Sequence, residues 1–310
     1  MKRFLCFLLV LSLLMSVAAC GREESGPAET AGGQNQTAPE TTAPEEEETA
    51  APTDATSPTF VRTDLVSDEN MVFAVTEFTG NDHLGLQMQV YCENKTDRNL
   101  MFSLDGVSVC GIMYDPFWAE EVAAGKGVYS TVSFDTYALE ELGVLSVDEI
   151  SFRLSVIDSE EWMNEPLADD HFTVYPTGLT AETVVYPEYV HKNGETIIMD
   201  DEKLLFIVEK VNDAGDDLYT LNCYIVNRTD KDLLLSWDNV SVNDMMVDPF
   251  WAAAVGAGKQ LYTTVSFFRS DLEAQGIEDV REIVFTLTGF DYDDFSGDYL
   301  LEEIFTFQPK

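Results

Sequence analysis

DPFWAEEVAAGKGVYSTVSF, residues 115–134, returns as DPFWAAAVGAGKQLYTTVSF, residues 248–267, and this near-identity decides how the chain is organised. Extended upstream, Tyr91 to Phe134 matches Tyr224 to Phe267 at a constant offset of 133 without a gap, with 25 identities in 44 positions. The offset also holds further out. Phe73 meets Phe206, Phe152 meets Phe285, Phe172 meets Phe305 and Pro176 meets Pro309. One unit of ordinary domain size is therefore written twice. The expected boundaries are 59–176 for the first copy and 196–310 for the second. Residues 177–195 are expected to be a linker, with the alternative of an extra strand left open.

The period inside each copy is two. Leu84, Leu86, Met88, Val90 and Cys92 alternate with Gly85, Gln87, Gln89, Tyr91 and Glu93, and Ile150, Phe152, Leu154 and Val156 alternate with Ser151, Arg153 and Ser155. Such one-sided alternation is the pattern of a strand with one face in a core and one in water. Asn94-Lys-Thr-Asp97 and Asn227-Arg-Thr-Asp230 supply turn chemistry between strands. Seven strands per copy are expected, near 71–78, 84–93, 99–104, 107–113, 127–134, 149–157 and 171–175, with a helical turn at 136–142. The fold class is all-β: two tandem immunoglobulin-like antiparallel β-sandwich domains.

The first 58 residues read differently. Lys2 and Arg3 precede an apolar run from Phe4 to Met15, too short for a membrane span. Val17-Ala18-Ala19-Cys20 follows as a lipobox-like sequence. Residues 1–19 are expected to be a lipoprotein signal peptide and Cys20 the lipidated residue, whose two acyl chains would hold the protein on membrane lipid at the extracytoplasmic face of the cell membrane. Residues 21–58 are rich in Pro, Thr, Ala and Glu and contain no apolar periodicity, so 20–58 is expected to be a disordered acidic tether with a reach on the order of 35 Å.

The lipobox, the acidic tether and the units containing ENKTDRNL, VSVCGIM, DPFWAEEVAAGK and TVSF together resemble Gram-positive, Clostridia-like surface lipoproteins with tandem immunoglobulin-like (telokin-like) domains of unknown function. The resemblance spans both copies. It implies a β-sandwich placed outside the membrane and supplies no catalytic residue.

The net charge of −40 disfavours nucleic acid and other polyanions. No Ser–His–Asp grouping, Gly-rich phosphate loop or zinc spacing is present, so an enzyme is not expected. The expected function is that of a non-catalytic interaction or spacer module, with an envelope protein or glycan as partner. The alternatives are a calcium-dependent binding or adhesion protein that uses the acidic loops before the last strand of each copy, and an enzyme whose site is built from loops. Two candidate sites stand out. Phe117, Trp118, Phe250 and Trp251 could form an aromatic binding platform, or could simply plug the sandwich. Asp158, Glu160 and Glu161, with their counterparts Asp291, Asp293 and Asp294, could hold calcium in the loop before the last strand, or form a solvated acidic hairpin. No other cofactor is expected. Cys92 and Cys223 read as small core residues. Cys110 is expected at an exposed hairpin tip, with a Cys92–Cys110 disulfide as the alternative. Asn94, Asn227 and Asn239 head glycosylation triplets and are read as turn residues.

Overall fold

The computed structural model describes residues 60–81, 85–215, 217–249, 251–294 and 297–309. The expected signal peptide, Cys20, the tether and Phe250 lie outside the described residues. The first copy contains β1 (Thr63–Ser67), β2 (Met71–Asn81), β3 (Gly85–Asn94), β4 (Leu100–Val109), β5 (Ile112–Met113), β6 (Ala119–Val122), β7 (Gly127–Phe134), the helical turn α1 (Thr136–Glu141), β8 (Ile150–Asp158) and β9 (Ala168–Val174). The second repeats the series as β10 (Thr196–Asp200), β11 (Leu204–Asn212), β12 (Leu218–Asn227), β13 (Leu233–Val242), β14 (Met245–Met246), β15 (Ala252–Val255), β16 (Gln260–Phe268), α2 (Arg269–Ala274), β17 (Ile283–Asp291) and β18 (Leu301–Phe307).

In the first copy β1-β2-β3-β7 form one sheet, and β4, β8 and β9 form another to which β5 and β6 add short edges. The two sheets enclose one core, with Phe73, Met88 and Val90 on one side and Phe102, Ile150, Phe152 and Leu154 on the other. The second copy builds an equivalent core from Phe206, Leu221 and Ile225 facing Leu235, Trp237, Phe285 and Leu287. The alternation explains the packing. Along β8, and along β3 from Met88 onward, every second residue is buried, so each strand contributes an apolar row to the core. The all-β expectation holds.

Three local readings differ from the fold. The expected strands at 99–104 and 107–113 are one strand, β4, followed by a tight turn and the two residues of β5. The alternation breaks because a bulge between Asp105 and Ser108 inserts a residue at Gly106, whose φ is +55°. In the second copy Asn239 occupies the same bulge at φ +51°. Strands β1 and β6 lay outside the expected seven, since each is short and lacks an apolar row. Cys110 is at a hairpin tip as expected, but it is buried, only 2% exposed, and its thiol donates to the Ser146 carbonyl at 3.4 Å. All three described cysteines are free, so no Cys92–Cys110 disulfide forms. On the point left open by the sequence, residues 177–195 contribute no strand.

The α1 turn follows from Asp135, whose carboxylate accepts from the Tyr137 and Ala138 amides and so caps the first turn. Its Leu139 is buried in the core. Among the described residues no helix is long and apolar enough to cross a membrane.

Candidate functional site

The two copies meet at a built junction. Cys110 and Gly111 form the two-residue turn between β4 and β5, with φ values of +46° and +80°. Both values are left-handed, as a tight two-residue hairpin requires. The tip lies against the edge of β16, where Ile112 pairs in parallel with Gln260 and the Gln260 amide donates to the Gly111 carbonyl at 2.8 Å. This contact joins strands of both copies into one nine-stranded sheet. Ile112 is fully buried, Met113 packs on the second core, and Tyr262 of β16 packs on the first.

Residues 177–195 clasp this contact. The Tyr186 hydroxyl donates to the Glu149 carboxylate at 2.8–2.9 Å, and its ring lies flat on Gly111, where an added Cβ would meet ring carbon Cδ2 at 2.9 Å. Glu149 is only 3% exposed and also receives Lys259 at 3.4 Å, so the buried carboxylate is matched by a cation from the other copy. Lys259 in turn lies over the Tyr186 ring. Three residues on, Tyr189 stacks on Tyr224 at 4.1 Å, and its hydroxyl donates to Glu195 and Glu209. Gln260 completes the clasp: its side chain donates to the Pro187 carbonyl at 3.1 Å and accepts from the Tyr224 hydroxyl at 2.8 Å. Burial beside Glu149 pushes the Tyr186 phenol well above its usual range, so it stays a donor.

A second bridge uses the acidic loop. Arg153 of β8 makes a two-pronged ion pair with Asp169 and reaches Asp293 of the second copy at 2.7 Å. Its guanidinium also faces the Tyr292 ring. The charge of the β17–β18 loop is thus partly consumed in joining the copies.

This arrangement redistributes the candidate residues. Asp293 serves Arg153, and Asp291 pairs with Lys231. Asp158, the counterpart of Asp291, accepts the Glu160 and Glu161 amides at 2.9 and 3.3 Å and pairs with Arg98 at 3.1 Å. Asp294 closes the loop turn through its amide, which donates to the Asp291 carbonyl. Glu160 and Glu161 are exposed, and Glu161 accepts from the Asn164 side chain. Among the described residues no three His, Cys, Asp or Glu side chains converge as a metal site. Asp158, Asp291 and Asp293 are held by protein cations, and Asp158 and Glu161 also accept from amides.

The aromatic pair also divides. Trp118 packs on the core beside Phe73, and its indole donates to Ser130 at 3.1 Å. Trp251 packs on Phe206 and donates to Thr263 at 3.2 Å. Both indoles are therefore plugs with a satisfied N–H. Phe117 does the opposite. It is 86% exposed and sits at φ +50°, held there by the Asp115 carboxylate, which accepts its amide at 2.7 Å. A bulky side chain in the left-handed region costs roughly 1–3 kcal/mol. The loop thus presents this ring to solvent in a strained backbone.

The loop carboxylates give a pH dependence. The Glu160 amide, with help from the Glu161 amide and Arg98, holds Asp158 below the usual carboxylate range against an opposing cost of burial. The Lys231 ammonium does the same for Asp291. A carboxylate depressed in the folded state stabilises fully above its unfolded pKa of about 4, and that contribution disappears as the pH falls through the folded value. The melting temperature is therefore expected to drop as the pH is taken from 6 towards 2. In a chain carrying Asp158→Asn and Asp291→Asn the fall should be shallower and start from a lower value. An unchanged slope in a thermal titration would rule these groups out as contributors.

Gly111, Glu149, Tyr186, Lys259 and Gln260 are not legible as a group in the sequence. They come from separate segments, and the available signal was slight: Glu149 and Lys259 recur as Glu282 and Lys126, while Gly111 and Gln260 do not recur. No family model matches the chain, and no curated protein matches it.

Proposed function

We propose that the chain is a non-catalytic, lipid-anchored protein of the extracytoplasmic membrane face, in which two immunoglobulin-like sandwiches act together as a spacer and carry a recognition loop away from the surface. The observation that carries this reading is the junction. A hairpin tip, a buried Glu149–Lys259 pair and the Tyr186–Tyr189 clasp join the copies into one piece, which suits a load-bearing spacer better than two beads on a string. The immunoglobulin-like assignment is supported by strand order. With β2 and β3 as the first two sandwich strands, β2-β3-β7 and β4-β8-β9 follow the A-B-E and C-F-G arrangement of that fold. The strained, exposed Phe117 supports recognition at a loop, since strain of this kind gathers at functional sites.

Two measurements test the reading. Cys20→Ser should move the chain from the membrane fraction to the soluble fraction; continued membrane association would remove the anchor. Immobilised full chain should retain an envelope protein or glycan from cell-envelope extract, and Phe117→Ala should lose it. If the unmodified chain retains nothing, recognition falls and the spacer role stands alone.

A further inference from the structure

The junction inside the chain leaves both of its halves unused elsewhere. Its donor is the β4–β5 hairpin of the first copy, and its acceptor is the outer edge of β16 in the second. Each half has a counterpart in the opposite copy. The second copy carries a donor hairpin, β13–β14, turned by Asn243 and Asp244 at φ +49° and +69°, close to the values at Cys110 and Gly111. The first copy carries an acceptor edge, β7, which pairs only with β3 among the described residues.

Both counterparts display apolar surface at the positions that the internal junction buries. Met245 and Met246, 41% and 62% exposed, stand where Ile112 and Met113 are covered. Tyr129, 70% exposed, stands where Tyr262 packs on the neighbouring core. The ring beneath is kept too, since Tyr91 packs against Tyr129 at 4.9 Å as Tyr224 does against Tyr262. The charge pair recurs as well. Lys126 occupies the place of Lys259, is exposed and has no ion pair among the described residues. Glu282 occupies the place of Glu149, half-buried beneath the hairpin, with Gln308 donating to it at 3.2 Å.

We infer that a second copy of this chain docks here. The β13–β14 hairpin of one molecule lies on the β7 edge of the next and repeats between molecules the contact that already joins the two copies within one. Gly127, at the Gln260 position, keeps the backbone amide that would donate to the Asp244 carbonyl. Such an edge contact is made by main chain and tolerates side-chain change. The interface is heterologous, because donor and acceptor are different surfaces, one on each copy. It therefore adds molecules head to tail, donor on acceptor, and does not pair like surfaces. The net charge of −40 opposes the approach of two chains, so the series should lengthen as salt screens that repulsion.

The test is zero-length carbodiimide cross-linking of the full chain, mixed from two isotopic labels, at low and high ionic strength. The expected result is a ladder of dimer, trimer and higher species that grows with salt, with Lys126 joined to Glu282 across the two labels. M245E/M246E removes the donor and K126E removes the acceptor. All three side chains are exposed, so the melting temperature should hold while each variant alone loses the ladder at least tenfold. Mixing the two variants should restore a dimer and nothing larger, since each supplies the half the other lacks. A chain that stays monomeric at high salt would overturn the inference. So would a product that stops at the dimer for the unmodified chain, or a ladder indifferent to both variants.

Discussion

Asn94→Ala is expected to lower the stability of the folded region by about 3 kcal/mol and its melting temperature by about 10 °C. Asn94 is fully buried and organises the turn between β3 and β4 with every polar atom it has. Its side-chain amide donates to the Arg98 carbonyl at 2.7 Å and to the Val122 carbonyl at 2.8 Å. Its side-chain carbonyl accepts from the Thr96 amide at 2.9 Å and the Thr96 hydroxyl at 2.7 Å. The first pair ties the turn to β6, a strand with little apolar burial of its own. Alanine would strand a buried carbonyl at Val122 without a donor, and an unmet buried polar group costs about 1–3 kcal/mol by itself. Asn94→Asp should be worse, because a carboxylate puts an acceptor where a donor is required and carries charge into a buried site. Asn227 repeats the arrangement, with Lys231, Val255 and Thr229 as partners. Asn227→Ala should therefore match Asn94→Ala within about 1 kcal/mol. A change below about 0.5 kcal/mol, the usual range of surface substitutions, would show that the turn holds without its asparagine. The same burial means that this Asn-Lys-Thr triplet is structural and closed to modification in the folded chain.

The second large effect is expected at Gly111. Gly111→Val should cost about 3 kcal/mol and turn a single thermal transition into two, one for each copy. Two causes add. At φ +80° a β-branched residue is strongly disfavoured. Its Cβ would also stand 2.9 Å from the Tyr186 ring, a rigid group already fixed by the Glu149 carboxylate. Relief requires the tip to withdraw from β16. That step breaks the Gln260–Gly111 bond, uncovers Ile112 and separates the buried Glu149 from Lys259. Each copy keeps its own core, so unlinking should leave both folded at moderate temperature. Differential scanning calorimetry reads the outcome directly. A single unsplit transition with an unchanged midpoint would mean that the hairpin does not couple the copies. Asp244, at the corresponding tip of the second copy, is exposed and carries its side chain at φ +69°.

Much of this architecture is legible from residues close together in the chain. The 133-residue offset, the alternation of β3 and β8 and the Asn-x-Thr-Asp turns are local patterns, and each acts within the strand or turn that carries it. They determine strands, a buried face and a duplicated unit, because a period of two admits only one way to present an apolar row. The bulge at Gly106 hid half of β4, since one inserted residue moves the next apolar positions to the opposite phase. The burial of Cys110 escapes the sequence for a related reason. A hairpin tip is normally wet, and only the packing beneath Ser146 and Glu149 makes this one dry.

The candidate site was less legible. The DPFW loop was visible as a repeated motif, but only the fold separates Trp118, which bonds to Ser130 across the core edge, from Phe117, which the left-handed backbone turns outward. The acidic loops looked alike in sequence, yet Asp293 has an arginine from the other copy and Glu160 does not. The junction left almost no local signature. It rests on a strand edge, and an edge is main chain, offering the same amides and carbonyls whatever the side chains are. Two matching β units and the faces they bury thus follow from patterns local to the chain. That the tip of one unit completes the sheet of the other emerges in the packed fold alone, because that contact joins Gly111, Glu149, Tyr186 and Gln260 from segments that no periodicity links.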